Sequence, residues 1–190
     1  MHTAMSDSTE PAADLTATHI RRAHAGDAGA LALAGAATFL ETFAGILHGR
    51  DIVEHCRAQH AAEVYSAWLA DPACASWLAE TDRGDAPVGY AVVAPAKLPL
   101  ADVSDDDLEL KRIYLLSRFH GGGVGRELMR HAVAESRARG ARRLLLGVYA
   151  GNARALAFYA RNGFRQVGER SFQVGRNTYG DAILALHLHE

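Results

Sequence analysis

Residues 109–159 constrain this 190-residue chain more than any other stretch. An apolar segment at 113–116 runs into Gly121-Gly122-Gly123-Val124-Gly125, and an amphipathic pattern follows at once. Glycines at a strand-to-helix junction permit a tight turn and leave the first helical amides bare, where the helix dipole adds partial positive charge. A junction of that kind suits an anion, phosphate above all. After Gly140 comes the apolar run Leu144-Leu145-Leu146-Gly147-Val148, expected to be a central strand covered on both faces, then a short helix over 152–159.

The neighbours of the glycines narrow the choice of ligand. A nucleoside-triphosphate loop needs Lys and then Ser or Thr after its last glycine, and here Arg126-Glu127 follows Gly125. A dinucleotide fingerprint sits early in its domain, with an acid about twenty residues on. These glycines lie past mid-chain, and the strand after them ends without an acid. A plain flexible turn is the remaining alternative. Two features favour a site: Asn152, Ala155 and Tyr159 share one helix face by spacing, and Glu109 alternates to the face of Lys111 and Ile113.

The rest of the chain predicts a mixed α/β domain over residues 16–190, with a flexible tail over 1–15. A strand is expected over 16–23, and a helix capped by Asp27 reaches Phe43. A loop follows at 45–50. Asp51 and Glu54 look like a capping box for a further helical stretch, broken around 65–71 and stopped by Pro72. Strands at 75–80 and 88–94 flank the turn Asp82-Arg83-Gly84-Asp85. A surface loop at 97–107 precedes a strand at 108–116. The next helix buries Val124, Leu128, Met129 and Ala132, and strand 143–149 and helix 152–159 come after it. Asn162-Gly163 caps that helix, and 164–174 with 178–187 form a closing antiparallel pair.

Composition excludes several classes. A formal net charge of −2 offers no basic excess for nucleic acid. Cys56 and Cys74 are too few for a disulfide framework and have no zinc-type spacing, so no metal is expected and the thiols fit a reducing cytoplasm. No apolar leader precedes residue 15, and the apolar segment 31–47 carries Glu41 and falls short of a spanning length.

The strand, the loop from His120 to Gly125, the run Asn152-Ala153-Arg154-Ala155-Leu156-Ala157-Phe158-Tyr159 and the following Asn162-Gly163-Phe164 together resemble the acetyl-CoA core of the GNAT superfamily of N-acetyltransferases. Thr38-Phe39, Glu41-Thr42-Phe43, the segment 108–114 and Phe172-Gln173-Val174-Gly175 extend the resemblance to the PaiA-type branch, whose members acetylate spermidine and spermine. The family's loop usually opens with Gln or Arg, where this chain has His120.

The resemblance implies a mixed, mostly antiparallel central sheet with helices on both faces. It also implies acetyl-CoA as co-substrate. Backbone groups of Ile113, Tyr114 and Leu115 would hold the pantetheine, with an amide near Leu115 polarising the acetyl carbonyl. His120, Gly121, Gly122, Gly123, Val124, Gly125 and Arg126 would hold the pyrophosphate; Asn152 would bond the pantetheine from its other side, and Ala155 would also contact the cofactor. Tyr159 would be the general acid, since a phenol arrives protonated at neutral pH; the alternative is a core tyrosine beside Phe158. Glu109 would be the general base, or else a strand-end carboxylate paired with Lys111 or Arg112.

The expected acceptor is a small cationic amine such as a polyamine, drawn by Asp102, Asp105, Asp106 and Asp107, with Tyr65, Trp68 and Trp77 lining a pocket or filling core. An amino acid, a protein N-terminus, an aminoglycoside or a silent acyl-CoA sensor are the alternatives. A homodimer is common among proteins it resembles.

Overall fold

A computed structural model describes residues 17–174 and 177–189; the expected tail and Gly175 lie outside them. The elements are β1 (Thr18–Arg22), α1 (Ala28–Phe43), α2 (Gly49–Gln59), α3 (Ala62–Ala70), β2 (Ala75–Thr81), β3 (Pro87–Pro95), β4 (Asp107–Leu115), α4 (Val124–Ala138), β5 (Arg143–Tyr149), α5 (Ala153–Arg161), β6 (Arg165–Val174) and β7 (Asn177–His187). The strands form one sheet in the order β1-β2-β3-β4-β5-β7-β6. Among the described strands, only β4 and β5 pair in parallel. This is the mostly antiparallel sheet that was expected.

Helices cover both faces. On one, Leu128, Met129 and Ala132 of α4 and Tyr159 of α5 pack with Ala91, Val93, Leu110, Leu144 and Leu146. On the other, Leu31 and Ala34 of α1 and Tyr65 of α3 pack against Leu78, Tyr90 and Val92. Burial of each large apolar side chain contributes about 1.5–3 kcal/mol, so the two faces together provide most of the driving force.

Several local expectations yield to tertiary contacts. α2 starts at Gly49 with His48 at its N-cap and no side-chain cap bond, so Asp51 and Glu54 form no capping box. The helix breaks at His60–Ala61, and α3 covers most of the stretch expected to be broken. Its anchor is Tyr65, fully buried, with its hydroxyl 2.8 Å from His60 Nδ1 and 3.0 Å from Tyr90 Oη. Gly35 makes the room, because a Cβ there would collide with the Tyr65 hydroxyl. Asp27 precedes α1 without capping it; its carboxylate takes the Arg21 guanidinium at 2.8 Å and the His24 amide at 2.7 Å. The segment 97–107 is no simple surface loop: Leu98 packs on Leu145 and Ile183.

Two features of β4 matter for function. The first is a bulge. Val93 faces Leu110 and Val92 faces Arg112, which leaves Lys111 as an extra residue. A bulge resets the two-residue alternation. Glu109 therefore shares its face with Arg112 and Tyr114, and Ile113 points to the α4 side; the expected shared face of Glu109 and Ile113 is corrected on that ground.

The second feature is a short seam. β4 and β5 pair only through Asp107↔Arg143, Leu108↔Leu144 and Glu109↔Leu145. Beyond these, β4 continues along β3 to Leu115 and β5 along β7 to Tyr149, so two unpaired backbone edges diverge. Asp107 closes the paired end: its Oδ2 lies 2.7 Å from Arg143 Nη2 and 2.9 Å from Arg142 Nη2.

Candidate active site

The glycine loop lies at the mouth of this wedge. Gly121 and Gly123 have φ of 91° and 88°, a region that side chains avoid. A Cβ at Gly122 would touch nothing, so its bareness leaves space outside the chain. α4 begins with no side-chain cap, which leaves the amides of Val124, Gly125 and Arg126 available. A Cβ on Gly125 would lie 3.8 Å from the Phe158 ring, so α5 runs beside this helix start. Arg126 is exposed on the first turn and opens a cavity of about 430 Å³ that extends to Arg137 and Asn162.

Two side chains orient the loop. His120 Nε2 lies 2.7 Å from the Leu115 carbonyl oxygen, so the ring turns back toward the strand. Glu41 of α1 accepts from both the amide and the hydroxyl of Ser117, at 2.8 Å each. The Leu116 amide donates to Val88 on β3. Strand amides alternate in direction, so those of Leu115 and Ile113 point into the wedge.

On the far side, Asn152 Oδ1 accepts the Ala155 amide at 3.0 Å and caps α5, which leaves the Asn152 NH2 group as the free donor. Ala155 packs into the α4-side core. Tyr159 is 8% exposed and its hydroxyl has no hydrogen-bond partner among the described residues. Burial pushes its pKa above that of an ordinary phenol, and the neighbouring Tyr114 adds to the shift. The phenol thus stays protonated through the neutral range.

Glu109 occupies the last paired position before the strands part. It is 4% exposed, and its Oε2 accepts from Lys97 N–H at 3.0 Å and Lys111 Nζ at 2.9 Å. Oε1 makes no hydrogen bond among the described residues. The pairing with Lys111 foreseen as the alternative is present, and it leaves one carboxylate oxygen open.

The acidic stretch is engaged elsewhere. Asp107 takes two arginines, and Asp102 Oδ2 lies 2.8 Å from Arg143 Nη1. Trp77 packs on the α4 side with His131, away from the face of Glu109, whereas Trp68 lies beneath the Arg112 guanidinium.

Sequence reasoning missed Asp181 and Arg170. Asp181 is 5% exposed, sits opposite Tyr149 and bonds Arg170 Nε at 3.0 Å. Burial raises its pKa, and its charge reaches the Tyr114 hydroxyl. The one available signal is Gly147, since a Cβ there would lie 2.6 Å from the Arg170 guanidinium.

Unsatisfied strand edges, a bare helix start and an uncrowded glycine suit an extended thioester with a pyrophosphate at one end. The comparisons agree. The profile of the acetyltransferase (GNAT) family matches residues 42–164. An uncharacterised N-acetyltransferase of Mycobacterium bovis is 32% identical over 162 residues, covering 85% of this chain and 98% of that protein. The crystal structure of PaiA N-acetyltransferase from Thermoplasma acidophilum, in complex with coenzyme A, superposes with a TM-score of 0.72 at 19% identity over 90% of this chain and 99% of that one. The ribosomal-protein-alanine N-acetyltransferase of Brucella melitensis gives 0.68 at 24% identity, with 90% and 99% covered. With its sheet, its glycine loop and its relatives in agreement, the chain belongs to the GNAT family of acetyl-CoA-dependent N-acetyltransferases.

Proposed function

We propose that the enzyme acetylates the primary amine of a small molecule by direct attack while both substrates are bound. One observation carries this reading: the unpartnered hydroxyl of the buried Tyr159 and the half-engaged Glu109 carboxylate belong to elements that border the same wedge. The uncapped start of α4 and the Gly121–Gly123 turn hold the pyrophosphate, and Arg126 adds charge. The Ile113 and Leu115 amides orient the pantetheine and the acetyl carbonyl, with Asn152 opposite. Bound acetyl-CoA supplies an activated acetyl group, whose carbon gains a C–N bond as its C–S bond breaks. Tyr159 Oη delivers a proton to the departing sulfur, and Glu109 Oε1 takes the proton lost by the amine, directly or through one water. No cysteine serves as an acyl carrier: Cys74 is buried near Asp71, and Cys56 belongs to α2.

A polyamine acceptor draws little support from the acidic stretch, because only Asp105 and Asp106 of it remain unpaired among the described residues. The free thiols of Cys56 and Cys74 support a reducing cytoplasm as the site of action. The exposed Leu33 and Leu40, seven residues apart on α1, support a homodimer through that helix.

The test is release of free thiol from acetyl-CoA in the presence of polyamines, amino acids, peptides and aminoglycosides. Turnover with one class upholds the proposal. Tight acetyl-CoA binding with no turnover in any class would replace it with a non-catalytic acyl-CoA sensor.

A further inference from the structure

Arg112 is anomalous among the arginines. Arg21, Arg143 and Arg170 are similarly withdrawn from solvent, and each holds a carboxylate. Arg112 is only half-buried yet has no ion pair among the described residues. Its Nε is sealed from solvent with no partner, and its one hydrogen bond runs from Nη1 to the Lys111 carbonyl at 3.2 Å. The guanidinium lies 5.7 Å from the centre of the Trp68 ring, which accommodates a flat cation but gives it no anion.

The surroundings supply no compensation. The Arg112 charge bears on His55, His60, Tyr65, Tyr90 and Tyr114, none of them anionic. It approaches the Tyr65 hydroxyl without a well-formed hydrogen bond. Glu109 is engaged by Lys97 and Lys111. A second orphan lies in the same cluster. His60 Nδ1 lies 2.8 Å from the Tyr65 hydroxyl, and the buried His60 Nε2 has no hydrogen-bond partner among the described residues. A half-buried cation with a sealed, unpartnered Nε and no counter-charge, beside an unpartnered buried ring nitrogen, is costly in a folded chain unless a ligand completes it.

Arg112 is also well placed. It shares the face of Glu109 and Tyr114 and lies past the point where β5 departs. Two residues, one of them the bulged Lys111, separate it from Glu109, a span of less than about 10 Å. A planar guanidinium fork matches a carboxylate in two parallel bonds.

We infer that Arg112 binds a carboxylate of the acceptor, which makes the acceptor class an amino acid or close relative with its amine free. The inference rests on the acetyl-transfer reading for where the amine goes, and on Arg112 alone for the carboxylate.

The test compares L-alanine, L-methionine, L-glutamate and L-phenylalanine with the corresponding amides and with spermidine in the thiol-release assay. The free acids are expected to exceed their amides at least tenfold in kcat/KM. Arg112→Gln is expected to abolish that preference and raise KM for the acid at least tenfold, with KM for acetyl-CoA unchanged. Equal use of acids and amides, or preference for spermidine, overturns the inference. If no amine turns over, the transfer reading fails by itself. Calorimetric titration of the acetyl-CoA-loaded protein with the same acids then decides: binding lost in Arg112→Gln upholds the anchor, and no binding to the parent protein overturns it. Arg112→Met guards against a purely structural role. An uncompensated cation predicts a Tm equal to or above that of the parent protein, and a fall of more than about 5 °C overturns the premise.

Discussion

His120 Nε2 and the carbonyl oxygen of Leu115 lie 2.7 Å apart, so the first side chain of the glycine loop closes back on the last residue of β4. Where the family has Gln or Arg, this histidine serves as a brace for the loop. One such bond contributes about 1 kcal/mol, which corresponds to roughly fivefold in affinity. His120→Ala is expected to raise KM for acetyl-CoA by about that factor and to leave turnover unchanged. Steady-state kinetics with acetyl-CoA varied would check this, and an unchanged KM would remove the brace.

Gly123→Glu places a side chain where φ is 88° and an acid beside the amides proposed to bind phosphate. Acetyl-CoA affinity is expected to fall by a factor of 100 or more, about 3 kcal/mol, with the circular dichroism spectrum preserved. Calorimetry measures it.

Tyr159→Phe removes one proton donor and almost no volume. Turnover is expected to drop about 10²–10⁴-fold while acetyl-CoA binding holds. Burial raises the Tyr159 pKa, so the acid form persists above the pH at which a free phenol ionises. The pH–rate profile is therefore expected to show no alkaline fall due to Tyr159 below about pH 10. A fall near neutrality that disappears in Tyr159→Phe would contradict the assignment.

Asp107→Asn leaves the Arg143 guanidinium, itself buried, without its closest anion. Removing one member of a buried pair costs about 3–5 kcal/mol. Urea unfolding is expected to show a loss of that order, and a change within 1 kcal/mol would mean that Asp102 alone suffices.

Burial, with the Arg112 charge added, lowers the His55 pKa from 6.5 to about 4 and that of His60 to about 3. Folding thus favours their neutral forms. Their contribution is fully present above pH 6.5 and is lost as pH falls through about 4 and then 3. Stability measured by urea unfolding is expected to decline from pH 6.5 downward. His55→Phe keeps the stack on Phe39, 4.0 Å between ring centres, and flattens the decline. An identical slope in that variant would exclude His55 as a cause.

What could be read from the sequence was whatever depends on neighbours along the chain. β5 occupies the residues its apolar run indicates, and Asn152 caps α5 at the start of the expected short helix. What could not be read depends on contacts distant in sequence. Tyr65 anchors α3 through Tyr90 on β3, against the weak local signal for a break. The bulge at Lys111 is set by pairing with β3, so the face of Glu109 could not be assigned from alternation alone. Asp181 acquires its significance from Arg170, eleven residues away on the paired strand, and the orphaned Nε of Arg112 is defined by partners it lacks.

The three-pair seam between β4 and β5 has a mechanical meaning. The sheet consists of two half-sheets, β1–β4 and β5–β7–β6, stitched at one end by Asp107 and open at the other. In the proposed binding mode, a cofactor along the open edges is the missing thread. Grip on acetyl-CoA and cohesion of the two halves are then one quantity, so the enzyme withstands unfolding best when its acetyl donor is plentiful.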